Sequence, residues 1–121
     1  MNRKTSSLAQ GSSSGMARYV YNTPILTAYG TWAFTQVTVD EAIAFLRSAG
    51  WISGIGHSGT AQLLTQLSGV LVPVNRISTR LDIGDEALVF RLLQRQQEGR
   101  ELTIEDVRGM PHEYGILKRV H

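Results

Sequence analysis

The sequence contains no cysteine, which excludes a disulfide framework, a thiolate metal site and a thiol nucleophile from the outset. It also lacks any run of about 18 apolar residues of the kind that spans a bilayer. Its first fifteen residues have no apolar centre of the sort a secretory signal needs. The chain is therefore expected to stay where it is made, in the cytoplasm. Those fifteen residues, Met1 to Gly15, contain no acidic residue and almost no apolar one, and are rich in Ser and Gly. Their composition is that of a disordered leader or an expression remnant, with Met16 a candidate start of a single folded unit over 16–121.

The 121 residues carry twelve basic and ten acidic side chains. Arg3 and Lys4 account for two of the basic ones, so from Met16 onward the balance is ten against ten. Bulk charge thus argues for no particular partner. The identity of the bases is more informative, because nine of those ten are arginine and only Lys118 is lysine. Arginine suits bidentate contact with phosphate.

An apolar content of 42% is that of an ordinary globular protein. Arg18 to Tyr21 reads as a short strand before the Thr23-Pro24 break, and Trp32, Phe34, Val37 and Val39 as a second strand shifted at Gln36. Thr38 or Asp40 can cap a helix that runs through Arg47 on Ala42, Ile43, Leu46 and Ala49, with Gly50 closing it. The stretch from Trp51 to Ala61 reads as a glycine-rich turn leading into a second helix with Leu63, Leu64 and Leu67 on its apolar face and Gly69 at its end. Val72 to Leu81 and Ala87 to Leu93 read as two strands of a hairpin joined at Asp82-Ile83-Gly84-Asp85. A turn at Glu98-Gly99, a short helix from Thr103 to about Arg108 with Glu105 and Asp106 in its first turn, and a last strand from Tyr114 to Val120 complete the chain. The sum is an α/β fold: one domain with a small mixed sheet of about five strands flanked by about three helices.

The most suggestive segment for chemistry is Gly56-His57-Ser58-Gly59-Thr60, at the start of the second helix. Unpaired backbone N–H groups and the helix dipole converge there on a space suited to phosphate, and the glycines let a ligand come close. A histidine in that place can donate a proton to a departing oxygen. The same residues serve equally well as an N-cap with a tight turn. His112 and His121 lie at no metal-ligand spacing, so no metal site is expected. Arg91, Leu93 and Arg95 share one face if their strand persists, as a site at the strand end or as a solvated rim. Arg76 and Arg80 read as a solvated face. Asn22, after the first strand, can read an adenine edge or a phosphate, or simply serve the turn.

These segments together resemble the viral anti-CRISPR ring nucleases and their bacterial and plasmid-borne relatives. The resemblance rests on Ile52-Ser53-Gly54-Ile55-Gly56-His57 with Thr60-Ala61, on Val72-Pro73-Val74-Asn75-Arg76, on Leu88-Val89-Phe90 through Arg95 to Glu98-Gly99, and on Glu113-Tyr114-Gly115-Ile116-Leu117-Lys118. It covers about Tyr19 to Lys118.

What it implies is an enzyme that cleaves cyclic tetra-adenylate, the ring-shaped RNA messenger of type III CRISPR immunity, without metal or cofactor. It assigns His57 as catalytic acid, with Glu98 assisting at the reacting group. It assigns Asn22, Gly56, Ser58, Gly59, Thr60, Arg91 and Arg95 to ligand binding. It also implies a homodimer with the ring across the two-fold axis, in the cytoplasm of a prokaryotic cell, and no membrane partner. Two positions depart from the pattern: Gly59 stands where viral members can have a hydroxyl residue, and Arg91 where glutamine is expected. The competing expectations are a non-catalytic protein that sequesters cyclic oligoadenylate and a DNA-binding regulator. No helix-turn-helix supports the latter, and the neutral folded part predicts no strong association with duplex DNA.

Overall fold

A computed structural model describes residues 17–93 and 102–121. The leader assigned to 1–15 therefore lies outside the described residues. The elements run β1 (Arg18–Tyr21), β2 (Trp32–Val37), α1 (Val39–Arg47), β3 (Trp51–Ser53), α2 (Ser58–Ser68), β4 (Glu86–Leu92), α3 (Ile104–Arg108) and β5 (His112–Arg119). The five strands form one mixed sheet in the order β2-β5-β4-β1-β3. β1 runs parallel to both β3 and β4, whereas β5 is antiparallel to β2 and β4. The expected fold class is therefore observed.

Alternation along the strands sorts the sheet into two faces. Val20, Leu88, Phe90 and Tyr114 join Leu46 and Phe45 of α1, Leu63 and Leu64 of α2 and Val107 of α3 in the main core. Arg18 lies on that side too, its guanidinium over the Phe45 ring at 4.2 Å. On the other face Tyr21, Ala87, Val89 and Leu117 form a smaller cluster closed by Leu81.

The helix ends follow local chemistry. Thr38, rather than Asp40, caps α1: its hydroxyl accepts from the Glu41 N–H, and the Glu41 carboxylate accepts from the Thr38 N–H in return. Thr103 and Asp106 repeat the reciprocal arrangement at α3. Gly69 ends α2 in the left-handed region at φ 75°.

Two expectations are corrected. Val72 to Leu81 is not a strand, although its alternating Val and Ile suggest one. Both edges of β4 are already taken, by β1 and by β5, so no hairpin partner can be added there. The segment runs instead as an extended connection held by separate bonds, with the Val72 N–H donating to the Thr65 hydroxyl, the Asn75 N–H to the Ile55 carbonyl and the Leu81 N–H to the Thr27 hydroxyl. The turn at Asp82 to Asp85 does form, with Gly84 at φ 91°, but it feeds β4 alone. The fifth strand is Trp51–Ser53, taken from the sequence as part of the glycine-rich turn.

Candidate functional site

Because β1, β3 and β4 are parallel, their C-terminal ends reach the same edge of the sheet, where open α/β sheets commonly bind ligands. Asn22 follows β1, Gly54 to His57 follow β3, and Arg91 is near the end of β4. His57 is the N-cap of α2, in extended conformation at φ −127° and ψ 131°. Its carbonyl accepts from the Ala61 N–H to start the helix, but its side chain makes no capping bond. The imidazole is exposed. The capping role left open by the sequence is thus performed by the backbone alone, and the ring projects at the positive end of an eleven-residue helix.

The loop that carries His57 is fixed from three sides. The Gly54 N–H donates to the Val20 carbonyl at 2.8 Å, continuing the β1–β3 pairing, and a Cβ on Gly54 would stand 2.8 Å from the Tyr21 ring. Asn22 Oδ1 accepts from the Gly56 N–H at 3.1 Å, so the turn after β1 holds the residue before the histidine. The third side is the segment after α2: Asn75 Nδ2 donates to the Ser53 carbonyl at 2.8 Å and Arg76 Nε to the Gly56 carbonyl at 2.8 Å. Ser53 answers by donating its hydroxyl to the Pro73 carbonyl at 2.6 Å. Beneath the loop, burial pushes the Tyr21 phenol above its usual range, against the opposing hydrogen bond with Thr79.

The structure thus brings Asn22, Gly56, His57 and Ser58 together, and adds Asn75 and Arg76, whose roles sequence reasoning missed. Arg76 is exposed, as the solvated-face reading had it, and its guanidinium is also anchored one residue from His57. The signal was the Val72 to Arg76 segment, one of those that carry the resemblance.

Gly59 and Thr60 are buried. Gly59 is pressed against the backbone entering α3, where a Cβ would come within 2.8 Å of the Thr103 carbonyl oxygen and closer still to that of Leu102. Arg91 stands on the sheet face away from the helices, in the alternation of Ala87 and Val89, and Nη1 donates to Glu113 Oε1 at 2.6 Å. Arg95 and Glu98 lie outside the described residues. Among the described residues no three His, Asp or Glu side chains converge as a metal-ligand group, and no helix is long and apolar enough to cross a membrane.

Comparison with known proteins agrees with this architecture. The chain is 33% identical over 108 residues to the uncharacterized protein ORF117 of Acidianus two-tailed virus, covering 84% of this chain and 92% of that one. It is 30% identical over 101 residues to the uncharacterized protein YddF of Bacillus subtilis, covering 82% and 94% respectively. Among solved structures, B116 of Sulfolobus turreted icosahedral virus (STIV) superposes with a TM-score of 0.66 at 21% identity, over 85% of this chain and 99% of that one. Residues 18–114 match the STIV B116-like family, and the chain belongs to it.

Proposed function

We propose that this protein is a metal-independent ring nuclease that opens cyclic tetra-adenylate, with His57 as the general acid. The observation that carries the reading is the exposed imidazole at the start of α2, unused for capping, with the Arg76 guanidinium and the Asn22 side chain both bonded to the residue before it.

The reaction asks little beyond this arrangement. The RNA's own 2′-hydroxyl attacks the adjacent phosphorus in line, the new 2′-O–P bond forms and the P–O5′ bond breaks. The 2′-hydroxyl gives up its proton to solvent, and protonated His57 donates one to the departing 5′-oxygen and is reprotonated from solvent afterwards. Cationic and N–H groups at the helix start stabilise the phosphorane charge, a task for which Arg76 joins the Arg95 implied by the resemblance. Two such events on one ring yield linear di-adenylate ending in a 2′,3′-cyclic phosphate. A two-fold homodimer would present one His57 to each of two equivalent phosphates of a four-fold ring. Destruction of the messenger would silence type III CRISPR immunity, as evasion by a virus or as a reset by a host.

The test is a single-turnover assay with labelled cyclic tetra-adenylate in EDTA. Intact protein is expected to cut the ring, and His57→Ala to slow cleavage by about 10²–10⁴-fold, the usual worth of a general acid. A ring that is bound but left whole by intact protein would replace this reading with sequestration.

A further inference from the structure

On the sheet face that the helices leave open, a cleft of about 460 Å³ is lined by Pro24, Phe34, Gln36, Arg91, Glu113 and Gly115, among others. The register explains how it forms. Gln36 pairs with Gly115 across β2 and β5, and Arg91 with Glu113 across β4 and β5. Alternation then puts Phe34, Gln36, Glu113, Gly115 and Arg91 on one face. Gly115 contributes no side chain, and the Phe34 ring lies over it so closely that a Cβ there would be 2.5 Å from the ring. The cleft thus depends on a glycine that seats an aromatic ring. That ring remains 45% exposed and belongs to neither core cluster.

The groups around this ring have complementary chemistry. No hydrogen bond joins the Gln36 amide to another described residue, so its donor and acceptor are both available. Arg91 and Glu113, held together at 2.6 Å, set guanidinium donors beside carboxylate acceptors. A π surface, an amide that can bond in two directions and a fixed donor–acceptor pair suit a nucleobase, and the amide in particular suits the N6 and N7 positions of adenine. The cleft also lies within reach of the candidate site. Its rim residue Pro24 is two residues from Asn22, a span of at most about 7 Å, and Asn22 bonds the residue before His57.

We infer that this cleft is an adenine-binding subsite, in which Phe34 supplies the stacking surface and Gln36 sets the base preference. The identity of the larger ligand rests on the ring-nuclease reading. The subsite itself is defined by the cleft.

The experiment uses the full chain and two kinds of probe. Labelled cyclic tetra-adenylate is titrated into the intact protein, Phe34→Ala and Gln36→Leu, with thermal melts to establish that each variant is folded. Separately, 5′-AMP and 5′-UMP are titrated while backbone amides are followed by NMR. Stacking on one aromatic is worth about 1–3 kcal/mol per base, so Phe34→Ala is expected to weaken ring binding about 5- to 150-fold. Gln36→Leu is expected to narrow the preference for 5′-AMP over 5′-UMP, and 5′-AMP to shift the amides of Phe34, Gln36 and Gly115.

If both variants bind and cut the ring as the intact protein does, the subsite is wrong and the ring-nuclease reading stands. If the intact protein ignores the ring while 5′-AMP shifts those amides, the ring-nuclease reading falls and the subsite stands. If 5′-AMP shifts none of them, the subsite is overturned whatever the ring does.

Discussion

Gly59 occupies the first turn of α2 with its open side against the backbone that leads into α3, 2.8 Å from the Thr103 carbonyl oxygen at the position of a Cβ. Gly59 is one of the two departures from the ring-nuclease pattern, which invites a ligand-based explanation, yet packing supplies one of its own. Gly59→Ser should therefore cost about 1–3 kcal/mol, the usual penalty for overfilling a packed site. The urea midpoint measures it; an unchanged midpoint would mean that Leu102 and Thr103 move aside freely. Asn22 invites a parallel test, since its Oδ1 is the acceptor for the Gly56 N–H. Asn22→Ala should speed hydrogen exchange at the Gly56 amide, whereas Asn22→Asp keeps an acceptor oxygen and should leave it protected. Equal exchange in both variants would show that the bond does not hold the loop. The places of Asn22 and His57 were legible in the sequence because a strand end and a glycine-preceded histidine before a helix are local patterns, whereas the roles proposed for them came from the resemblance. Asn75 and Arg76 were not, since nothing local says that their segment folds back to bond Ser53 and Gly56.

The starts of α1 and α3 announced themselves through chemistry confined to four or five residues. Thr38 and Glu41 satisfy each other's backbone N–H groups, and Thr103 and Asp106 do the same. Thr38→Ala should accordingly cost about 1 kcal/mol, read as a lower thermal midpoint, and removing Glu41 as well should add less than its own single effect because the two halves of the box act together. Full additivity would contradict a coupled cap. Strands are different, because a strand is completed by a partner that the sequence does not name. Val72 to Leu81 has the composition of a strand and no vacant edge to join, whereas Trp51–Ser53 is only three residues long and qualifies because β1 lies beside it. Side-chain pattern alone therefore assigned strand character to the wrong one of the two.

For the molecule as a whole, the count of strands and helices was legible, but the order β2-β5-β4-β1-β3 was not, since it depends on which edges close first. One buried carboxylate shows how the three middle strands of that order are tied together at one end. Asp85 accepts from the Ala17 N–H at 3.0 Å ahead of β1 and from the Asp82 N–H at 2.8 Å in the turn before β4, while its carbonyl accepts from the Arg119 N–H at the end of β5. Burial raises this carboxyl above its ordinary 3.8, and the two N–H donors pull it back only in part. Between 3.8 and the raised value the folded chain holds the proton more tightly than the unfolded chain does. This group therefore makes stability fall as pH rises through that window, the reverse of the usual salt-bridged aspartate. Asp85→Asn should abolish that component of the pH dependence. At neutral pH it should also cost about 1–3 kcal/mol, because an amide offers one acceptor where two N–H donors need partners. Urea midpoints of both proteins from about pH 3 to 7 decide the matter. If the intact protein instead gains stability relative to Asp85→Asn as pH rises through the window, the two N–H bonds outweigh burial, and the carboxylate is held ionised at the junction of three strands.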